Sequence, residues 1–297
     1  MPTAAVATHT RFENILFATD FSDAAAQAVP YVKHIAKHYQ SNIVALHVRP
    51  PLVNPMTQLS TWPIDVEAVR NMDADFRKEL NRAFAGCRAE IVIQEGEVVP
   101  AVEAAIDTHH VDLLVMGTRG RTGLGKLLMG SIAEDIFRNV TCPVLTVGPH
   151  ALERGRHGEF REILYATDFS SESGKVAAYA LSLAREFQAR LVLLHVITEP
   201  KPGELVVWSD VEKSAKKVLR SLVPDEAEAW CKPEFFVERG DAAERILDLA
   251  NLRESDLIIL GTQAETGMRG AATHLPIAIA HRIVSRASCP VLTVRHS

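Results

Sequence analysis

The 297-residue sequence has little cysteine and no long apolar run. Its four cysteines form no Cys-x-x-Cys pair and no cluster with histidine, which argues against a disulfide framework or a zinc site. No uncharged stretch approaches the roughly 20 apolar residues that span a bilayer, and the start MPTAAVATHT lacks the basic and apolar regions of a signal peptide. We therefore expect a cytoplasmic protein with no membrane partner.

An excess of positive charge is also missing. The formal net charge is −5, which argues against nucleic acid or an anionic membrane as a main partner. Hydrophobic residues make up 47% of the chain and charged residues 23%, as in an ordinary globular protein. The length suggests two domains, each large enough to bury its own core.

The chain contains an internal repeat. Residues 15–22 read ILFATDFS and residues 163–170 read ILYATDFS, while CPVLTV occurs at 142–147 and again at 289–294. Matches in the same order at nearly constant offset indicate a duplicated domain. We predict one domain at 1–150 and a second at 151–297, joined by the polar segment 150–159.

Each copy alternates short apolar runs with longer helical patterns, which predicts an α/β fold with a parallel sheet and right-handed crossovers. In the first copy the predicted strands are 14–19, 42–48, 90–94, 113–116 and 143–147. Ser22 is a plausible N-cap for a helix through His38, and Pro30 should kink or restrict that helix. Further helices are predicted at about 65–85, 100–109 and 131–140.

The most informative stretch is 113–131, LLVMGTRGRTGLGKLLMGS. A buried strand runs into a glycine-rich loop, and a helix begins at the end of that loop. Glycines let backbone N–H groups approach an anion closely, and a helix N-terminus adds partial positive charge. Arg119, Arg121 and Lys126 are candidates to neutralise phosphates. The sequence therefore predicts a binding site for a phosphorylated ligand at the carboxyl end of the fourth strand.

Two motifs overlap in this loop. A near-match to a Walker A loop ends at Lys126, but Leu127 stands where that motif requires Ser or Thr for magnesium. The spacing Gly117-x2-Gly120-x9-Gly130-Ser131 resembles the ATP-binding signature of the universal stress protein family. A loop whose glycines merely turn the chain is the third alternative.

The resemblance covers both copies and implies two Rossmann-like domains of the adenine nucleotide α-hydrolase type. Each domain would hold a five-stranded parallel sheet of order 3-2-1-4-5 flanked by helices. It also implies that fifth strands pair between domains, which within one chain would give an internal pseudo-dimer. A homodimer is a further option, and no protein partner can be named.

The resemblance also assigns a site for ATP, with Mg²⁺ bridging its phosphates. Asp20 closes the first strand, where a carboxylate can accept bonds from ribose hydroxyls; capping of the next helix is the alternative interpretation. The backbone of Val48 would meet the adenine edge. The implied binding residues are Ala18, Asp20, Val48, Met116, Gly117, Arg119, Gly120, Gly130, Ser131 and Ile132.

The second copy departs from this pattern. Gln263, Ala264 and Glu265 stand opposite Arg119, Gly120 and Arg121, and Gly-Ser is not restored before the final helix. A Cβ at position 264 crowds the backbone approach, and Glu265 brings an anion towards the phosphates. We predict that the first copy binds ATP and that the second binds it poorly.

Three functions follow as hypotheses. The leading one is a cytoplasmic stress-response regulator in which ATP modulates conformation or assembly, with at most slow hydrolysis. The alternatives are an adenylating enzyme of the same wider group and an interaction module without nucleotide. His47 and His195 lie inside apolar runs, and we interpret both as buried, hydrogen-bonded strand residues rather than catalytic groups.

Overall fold

The computed structural model describes residues 10–49, 66–118, 130–148, 150–151, 158–198, 207–263 and 277–296. The chain divides into two compact units. One is Phe12–Pro149, hereafter the first domain; the other is His150–Ser297, hereafter the second domain, together with Met1–Arg11. Thr10 belongs to this second unit through its backbone N–H, which donates to Ser182 Oγ at 2.9 Å.

The first domain is a regular alternation of strands and helices. Its elements are β1 (Asn14–Ala18), α1 (Asp23–Tyr39), β2 (Asn42–Arg49), α2 (Val66–Ala83), β3 (Arg88–Glu95), α3 (Val98–Thr108), β4 (Leu113–Gly117), α4 (Ser131–Asn139) and β5 (Val144–Val147). The strands are parallel in the order β3-β2-β1-β4-β5, as predicted.

The second domain repeats this course. Its elements are β6 (Glu162–Thr167), α5 (Ser173–Glu186), β7 (Arg190–Ile197), α6 (Trp208–Ser221), β8 (Glu234–Arg239), α7 (Ala242–Leu252), β9 (Leu257–Gln263), α8 (Ile277–Arg286) and β10 (Val291–His296). A short 3-10 helix, Asp225–Ala229, lies between α6 and β8. The parallel order β8-β7-β6-β9-β10 reproduces the topology of the first domain.

Burial explains why these segments form a covered parallel sheet. Ile15, Leu16 and Phe17 of β1 and Leu113 to Met116 of β4 are all buried, which leaves neither strand a solvent face. Helix α1 buries one stripe of residues at helical spacing: Ala24, Ala28, Tyr31, Val32 and Ile35. The predicted cap is confirmed, because Ser22 Oγ accepts from Ala25 N–H at 3.2 Å. Pro30 lies inside this helix.

The amino ends of both sheets carry the same capping carboxylate. Asp112 Oδ2 accepts from the backbone N–H groups of Glu13 at 2.8 Å and Asn14 at 3.2 Å. Asp256 Oδ2 does the same for Arg161 and Glu162, at 2.8 and 2.9 Å. These bonds fix the start of the first strand in each domain and leave the opposite, carboxyl edge for a ligand. No helix in the described ranges is long and apolar enough to cross a bilayer.

Candidate functional site

A cleft opens at the carboxyl ends of β1, β2 and β4. Its volume is about 120 Å³, close to that of an apolar protein cavity that admits one benzene ring. Thr19 and Asp20 supply its polar groups. The rest of its lining is Gly117 and apolar side chains: Ala18, Ala25, Leu46, Val48, Val98, Val102, Met116, Ile132, Ala133 and Ile136. The cleft lies at the carboxyl ends of β1 and β4, where the strand order reverses. This position is the topological switch point, at which open α/β sheets bind their ligands.

Asp20 sits in a tight turn between β1 and α1. Thr19 Oγ1 accepts from the Phe21 N–H at 3.0 Å, and Asp20 Oδ1 accepts from the Ser22 N–H at 3.0 Å. Phe21 has a φ of 59°, in the left-handed region. The helix cap is therefore Ser22, while Asp20 belongs to the turn before it and lines the cleft.

His47 holds this turn from the neighbouring strand. Its Nδ1 lies 2.8 Å from the carbonyl oxygen of Thr19, and its side chain is buried. Phe21 and Phe76 stack on each other at 4.4 Å between ring centroids, and both contact the His47 ring edge-on. The interpretation of His47 as a buried, hydrogen-bonded strand residue is confirmed. His195 makes the same bond in the second domain but is only partly buried.

The main chain of Val48 faces the cleft. In a parallel strand the N–H and C=O groups of successive residues point alternately to the two neighbouring strands. The Leu46 carbonyl accepts from Thr19 N–H on the β1 side, and the Arg49 carbonyl accepts from Gly96 N–H on the β3 side. Val48 therefore points its N–H and C=O to the β1 side, beyond Ala18, the last residue of β1. One donor and one acceptor are thus presented next to an apolar slot.

Gly117 brings β4 against the first turn of α1. A Cβ at this position would lie 2.7 Å from the backbone of both Ala24 and Ala25. Such contacts involve main-chain atoms that cannot rotate away, so a side chain at 117 would displace the helix that carries the Asp20 turn. Gly117 therefore shapes the cleft by close packing as well as lining it.

Helix α4 directs its N-terminus at the same edge. Gly130 is the N-cap, with φ −64° and ψ 147°, and no side chain caps it among the described residues. The first N–H groups of the helix have no intrahelical acceptor and carry its partial positive charge. The Gly130 N–H donates to the Thr118 carbonyl at 3.0 Å. This bond joins the residues at the start and the end of the glycine loop.

The structure brings six of the predicted binding residues to one cleft: Ala18, Asp20, Val48, Met116, Gly117 and Ile132. Gly130 and the backbone of Ser131 lie at the adjoining helix N-terminus. Arg119 and Gly120, together with Arg121 and Lys126, fall outside the described residues.

Sequence reasoning missed part of the apolar lining. Val98 and Val102, four residues apart on α3, line the cleft and were not predicted, and neither was Ile136 on α4. Ile136 lies four residues after Ile132, which was predicted. That spacing places each pair on one helix face. The signal was present in the sequence, but α3 starts two residues before the predicted Pro100, which left Val98 in a loop.

Family models compared with the chain give one clear assignment. The model of the universal stress protein family matches twice, over residues 11–148 and 159–295. The chain belongs to the universal stress protein family. The two matches correspond to the two copies of the internal repeat, so this is a tandem member.

Some individual relatives match nearly the whole chain and others about half of it. A universal stress protein of Mycolicibacterium smegmatis is 24% identical over 95% of this chain and 96% of its own length. One from Methanocaldococcus jannaschii is 31% identical over 46% of this chain and 82% of its own length. The solved structure of a universal stress protein from Archaeoglobus fulgidus covers 97% of this chain and 100% of its own, at 19% identity and a TM-score of 0.70, and so shares the fold. Another solved member of this family was crystallised in complex with cAMP.

The equivalent turn of the second domain is built from more hydroxyl groups. Asp168 Oδ1 accepts from the Ser170 N–H at 2.9 Å, and Phe169 has a φ of 62°, as in the first domain. Here, however, Ser173 stands where the first domain has Ala25. The Thr167 hydroxyl donates to Ser173 Oγ at 2.9 Å, and the Ser170 and Ser173 hydroxyls lie 3.3 Å apart. The Ser173 hydroxyl, which the first domain lacks, thus adds a link between the turn and its helix.

Proposed function

We propose that this universal stress protein binds ATP in the cleft of its first domain and that occupancy modulates its conformation or assembly. The observation that carries the proposal is one continuous surface at the switch point. An apolar slot, Asp20 and a helix N-terminus that no described side chain caps adjoin there, and these are the features that suit a base, a ribose and phosphates.

The slot suits a purine base. Its walls are aliphatic side chains from β2, β4, α3 and α4, so a flat ring can be buried without leaving side-chain polar groups unpaired. The N–H and C=O groups of Val48 face the slot from its edge. Adenine carries a donor and an acceptor on one edge, which matches this pair of main-chain groups.

Asp20 suits the ribose. Asp20 lines the cleft and is the charged residue of its lining. A carboxylate accepts hydrogen bonds only, and the two ribose hydroxyls are donors. Hydrogen bonds to a charged partner contribute about 1.5–3 kcal/mol, so we expect this residue to dominate ribose affinity.

The N-terminus of α4 suits the phosphates. Gly130 has no side chain that would occupy the space in front of the first helical N–H groups. We further propose that Arg119 and Gly120 complete the phosphate site and that Mg²⁺ binds with the nucleotide, bridging phosphate oxygens. We expect Ala264 and Glu265 of the second domain to oppose phosphate binding there, which gives one nucleotide per chain.

Occupancy has enough free energy to act as a regulator. A ligand at 100 times its dissociation constant stabilises the bound form by about 2.7 kcal/mol. That amount shifts a two-state equilibrium by roughly a hundredfold, which suffices to bias a conformation or a weak interface.

The proposal is tested by calorimetric titration of Mg·ATP into the full chain and its Asp20→Ala and Asp168→Ala variants. The two aspartates occupy equivalent turns, so each variant controls for the structural effect of the other. We expect one site per chain, a loss of about 10- to 100-fold in affinity for Asp20→Ala, and no change for Asp168→Ala. Equal binding by both variants would exclude this site. Competition with cAMP, ADP and GTP then defines the specificity.

A further inference from the structure

One contact recurs in both domains next to the acidic turn. His47 Nδ1 lies 2.8 Å from the carbonyl oxygen of Thr19, and His195 Nδ1 lies 2.8 Å from that of Thr167. Each carbonyl belongs to the residue directly before the aspartate. Both histidines come from the second strand of their sheet, so the bond crosses from one strand end to the turn of its neighbour.

The chemistry of this contact fixes the state of the ring nitrogen. A carbonyl oxygen can only accept a hydrogen bond, so Nδ1 must carry the proton. For His195, burial lowers the pKa of the imidazole below its ordinary value, which favours the neutral ring. In both domains the histidine thus acts as an Nδ1–H donor to the carbonyl oxygen.

The turn between the first strand and the first helix of each domain requires hydrogen bonds from outside it. Phe21 and Phe169 adopt φ values of 59° and 62°, in the left-handed region, which is unfavourable for a residue with a Cβ. Within the turn, Thr19 Oγ1 and Asp20 Oδ1 accept from the next backbone N–H groups. Two further bonds reach β2: Thr19 N–H donates to the Leu46 carbonyl at 3.0 Å, and the His47 ring donates to the Thr19 carbonyl.

We propose that His47 is the positioning residue of Asp20. Its ring clamps the peptide that links Thr19 to Asp20 and so sets the direction in which the carboxylate enters the cleft. Phe21 and Phe76, packed against the ring, keep it from rotating out. The effect on the turn is independent of any ligand; its consequence for affinity rests on the proposed function.

Two substitutions separate the hydrogen bond from the packing. His47→Leu removes the donor and keeps an apolar side chain of similar size. His47→Asn places an amide N–H₂ at the position of Nδ1, because both atoms are attached to Cγ, and so restores the donor. His195→Leu makes the same change in the second domain and serves as the matched control.

The first measurement uses the protein without nucleotide. The Ser22 N–H donates to Asp20 Oδ1, so its hydrogen exchange reports whether the carboxylate stays in place. We expect exchange at Ser22 to rise about tenfold in His47→Leu, to return towards the wild-type rate in His47→Asn, and to be unchanged in His195→Leu. Unchanged exchange in His47→Leu would overturn the proposal, whatever the protein binds. A nitrogen-15 spectrum showing that Nδ1 of His47 carries no proton would also overturn it.

The second measurement is Mg·ATP affinity at 25 °C, well below unfolding, with the melting temperature recorded in parallel. We expect His47→Leu to lose about tenfold in affinity, and His47→Asn to remain within about threefold of wild type. His195→Leu should bind ATP as the wild type does. A purely structural role predicts equal melting losses in both Leu variants and wild-type affinity in both, which would overturn the positioning role. If the wild type binds no ATP, the proposed function is wrong. The hydrogen-exchange result at Ser22 still tests whether His47 positions Asp20.

Discussion

The two domains share one fold and the same capping aspartate, but the neighbouring side chains at the amino end of their sheets differ in chemistry. In the second domain Glu162 is buried and forms ion pairs with Arg190 at 2.8 Å and Arg253 at 2.9 Å. Arg253 also pairs with Glu234, and the two carboxylates raise its pKa. The equivalent strand positions of the first domain are Asn14 and Asn42, whose amides bond each other at 3.1 Å.

The carboxyl ends differ in the same sense. Tyr165 and Ser173 of the second domain replace Phe17 and Ala25 of the first. The Tyr165 hydroxyl donates to the Ser173 carbonyl at 2.8 Å, where the first domain buries only hydrocarbon. The second domain has thus gained internal polar contacts at both ends. The first domain lacks these contacts at the carboxyl edge of its sheet, where we propose the ligand binds. A binding site commonly gives up stabilising contacts in this way.

The sharpest contrast between the domains is between two glycines near the first helix. In Gly117→Ala the new Cβ would lie 2.7 Å from the α1 backbone, whereas a Cβ at Gly174 meets nothing within 4 Å. We expect Gly117→Ala to lower the free energy of unfolding by about 2–3 kcal/mol, the usual cost of overpacking a filled site. Gly174→Ala, inside α5, should raise it by about 0.5 kcal/mol.

Urea unfolding monitored by circular dichroism measures the stability of the Gly117→Ala and Gly174→Ala proteins. Titration with Mg·ATP should show that Gly117→Ala also weakens binding, because the displaced helix carries the Asp20 turn. A Gly117→Ala protein as stable as wild type would mean that α1 retreats easily and that close packing does not shape the cleft.

The fold was largely predictable from sequence because its signals are local or repeated. Apolar runs such as 113–116 mark strands buried on both faces, and Ser22 followed by an apolar stripe marks a helix start. The duplicated motifs gave the domain type and the strand order through the family resemblance. Strand and helix limits differ from those predicted by only a few residues, as with α3 at Val98–Thr108.

The site was only partly predictable, because its decisive contacts join residues far apart in the chain. Gly117 was predicted to line the base and ribose; its approach to Ala24 and Ala25, over 90 residues earlier, leaves no local pattern. His47 was correctly interpreted as hydrogen-bonded, yet its acceptor at Thr19 could not be read from the sequence. The predicted phosphate contacts at Arg119 and Gly120 lie outside the described residues and stay predictions.

A second contrast tests the ion pairs of the second domain. Glu162→Gln removes the carboxylate that holds Arg190 and Arg253 and leaves their charges partly unpaired. Breaking a buried pair costs about 3–5 kcal/mol, but the Arg190 side chain is 63% exposed and screened by water, so we expect about 2 kcal/mol. Asn14→Ala, the matched change in the first domain, should cost about 1 kcal/mol or less.

The difference in destabilisation between Glu162→Gln and Asn14→Ala should become smaller in high salt, because salt screens the exposed Arg190. Urea unfolding at low and high sodium chloride concentration provides the measurement. Equal costs for Glu162→Gln and Asn14→Ala would show that the charges add nothing beyond ordinary hydrogen bonds.

A third contrast concerns the serine at the end of each ATDFS motif. Ser22 Oγ accepts from the Ala25 N–H and caps α1, whereas the N-cap of α5 is Glu172, whose side chain makes no capping hydrogen bond. Ser22→Ala should therefore cost about 1 kcal/mol, the usual loss of a helix cap. Ser170→Ala removes only a hydroxyl contact and should stay within about 0.5 kcal/mol of wild type. Thermal unfolding of the two variants compares them directly, and equal losses would mean that Ser22 contributes no cap.

The smallest effect is expected from making the second core resemble the first, with Tyr165→Phe. At pH 7 the loss should be about 0.5 kcal/mol, because the Ser173 carbonyl keeps its acceptor role within α5 when the phenol is gone.

Burial raises the pKa of Tyr165 to about 12, against 10 in the unfolded chain. The folded wild type therefore holds this proton more tightly than the unfolded form, so its stability contribution is complete below pH 10 and is lost as the pH rises towards 12. Tyr165→Phe lacks this term, so its deficit of about 0.5 kcal/mol should shrink above pH 10 and reverse in sign as the pH approaches 12, because each unit of pKa shift corresponds to about 1.4 kcal/mol. Urea unfolding at a series of pH values measures this change. A constant difference from pH 8 to pH 11.5 would mean that the phenol is accessible to solvent and that the two cores differ less than their burial indicates.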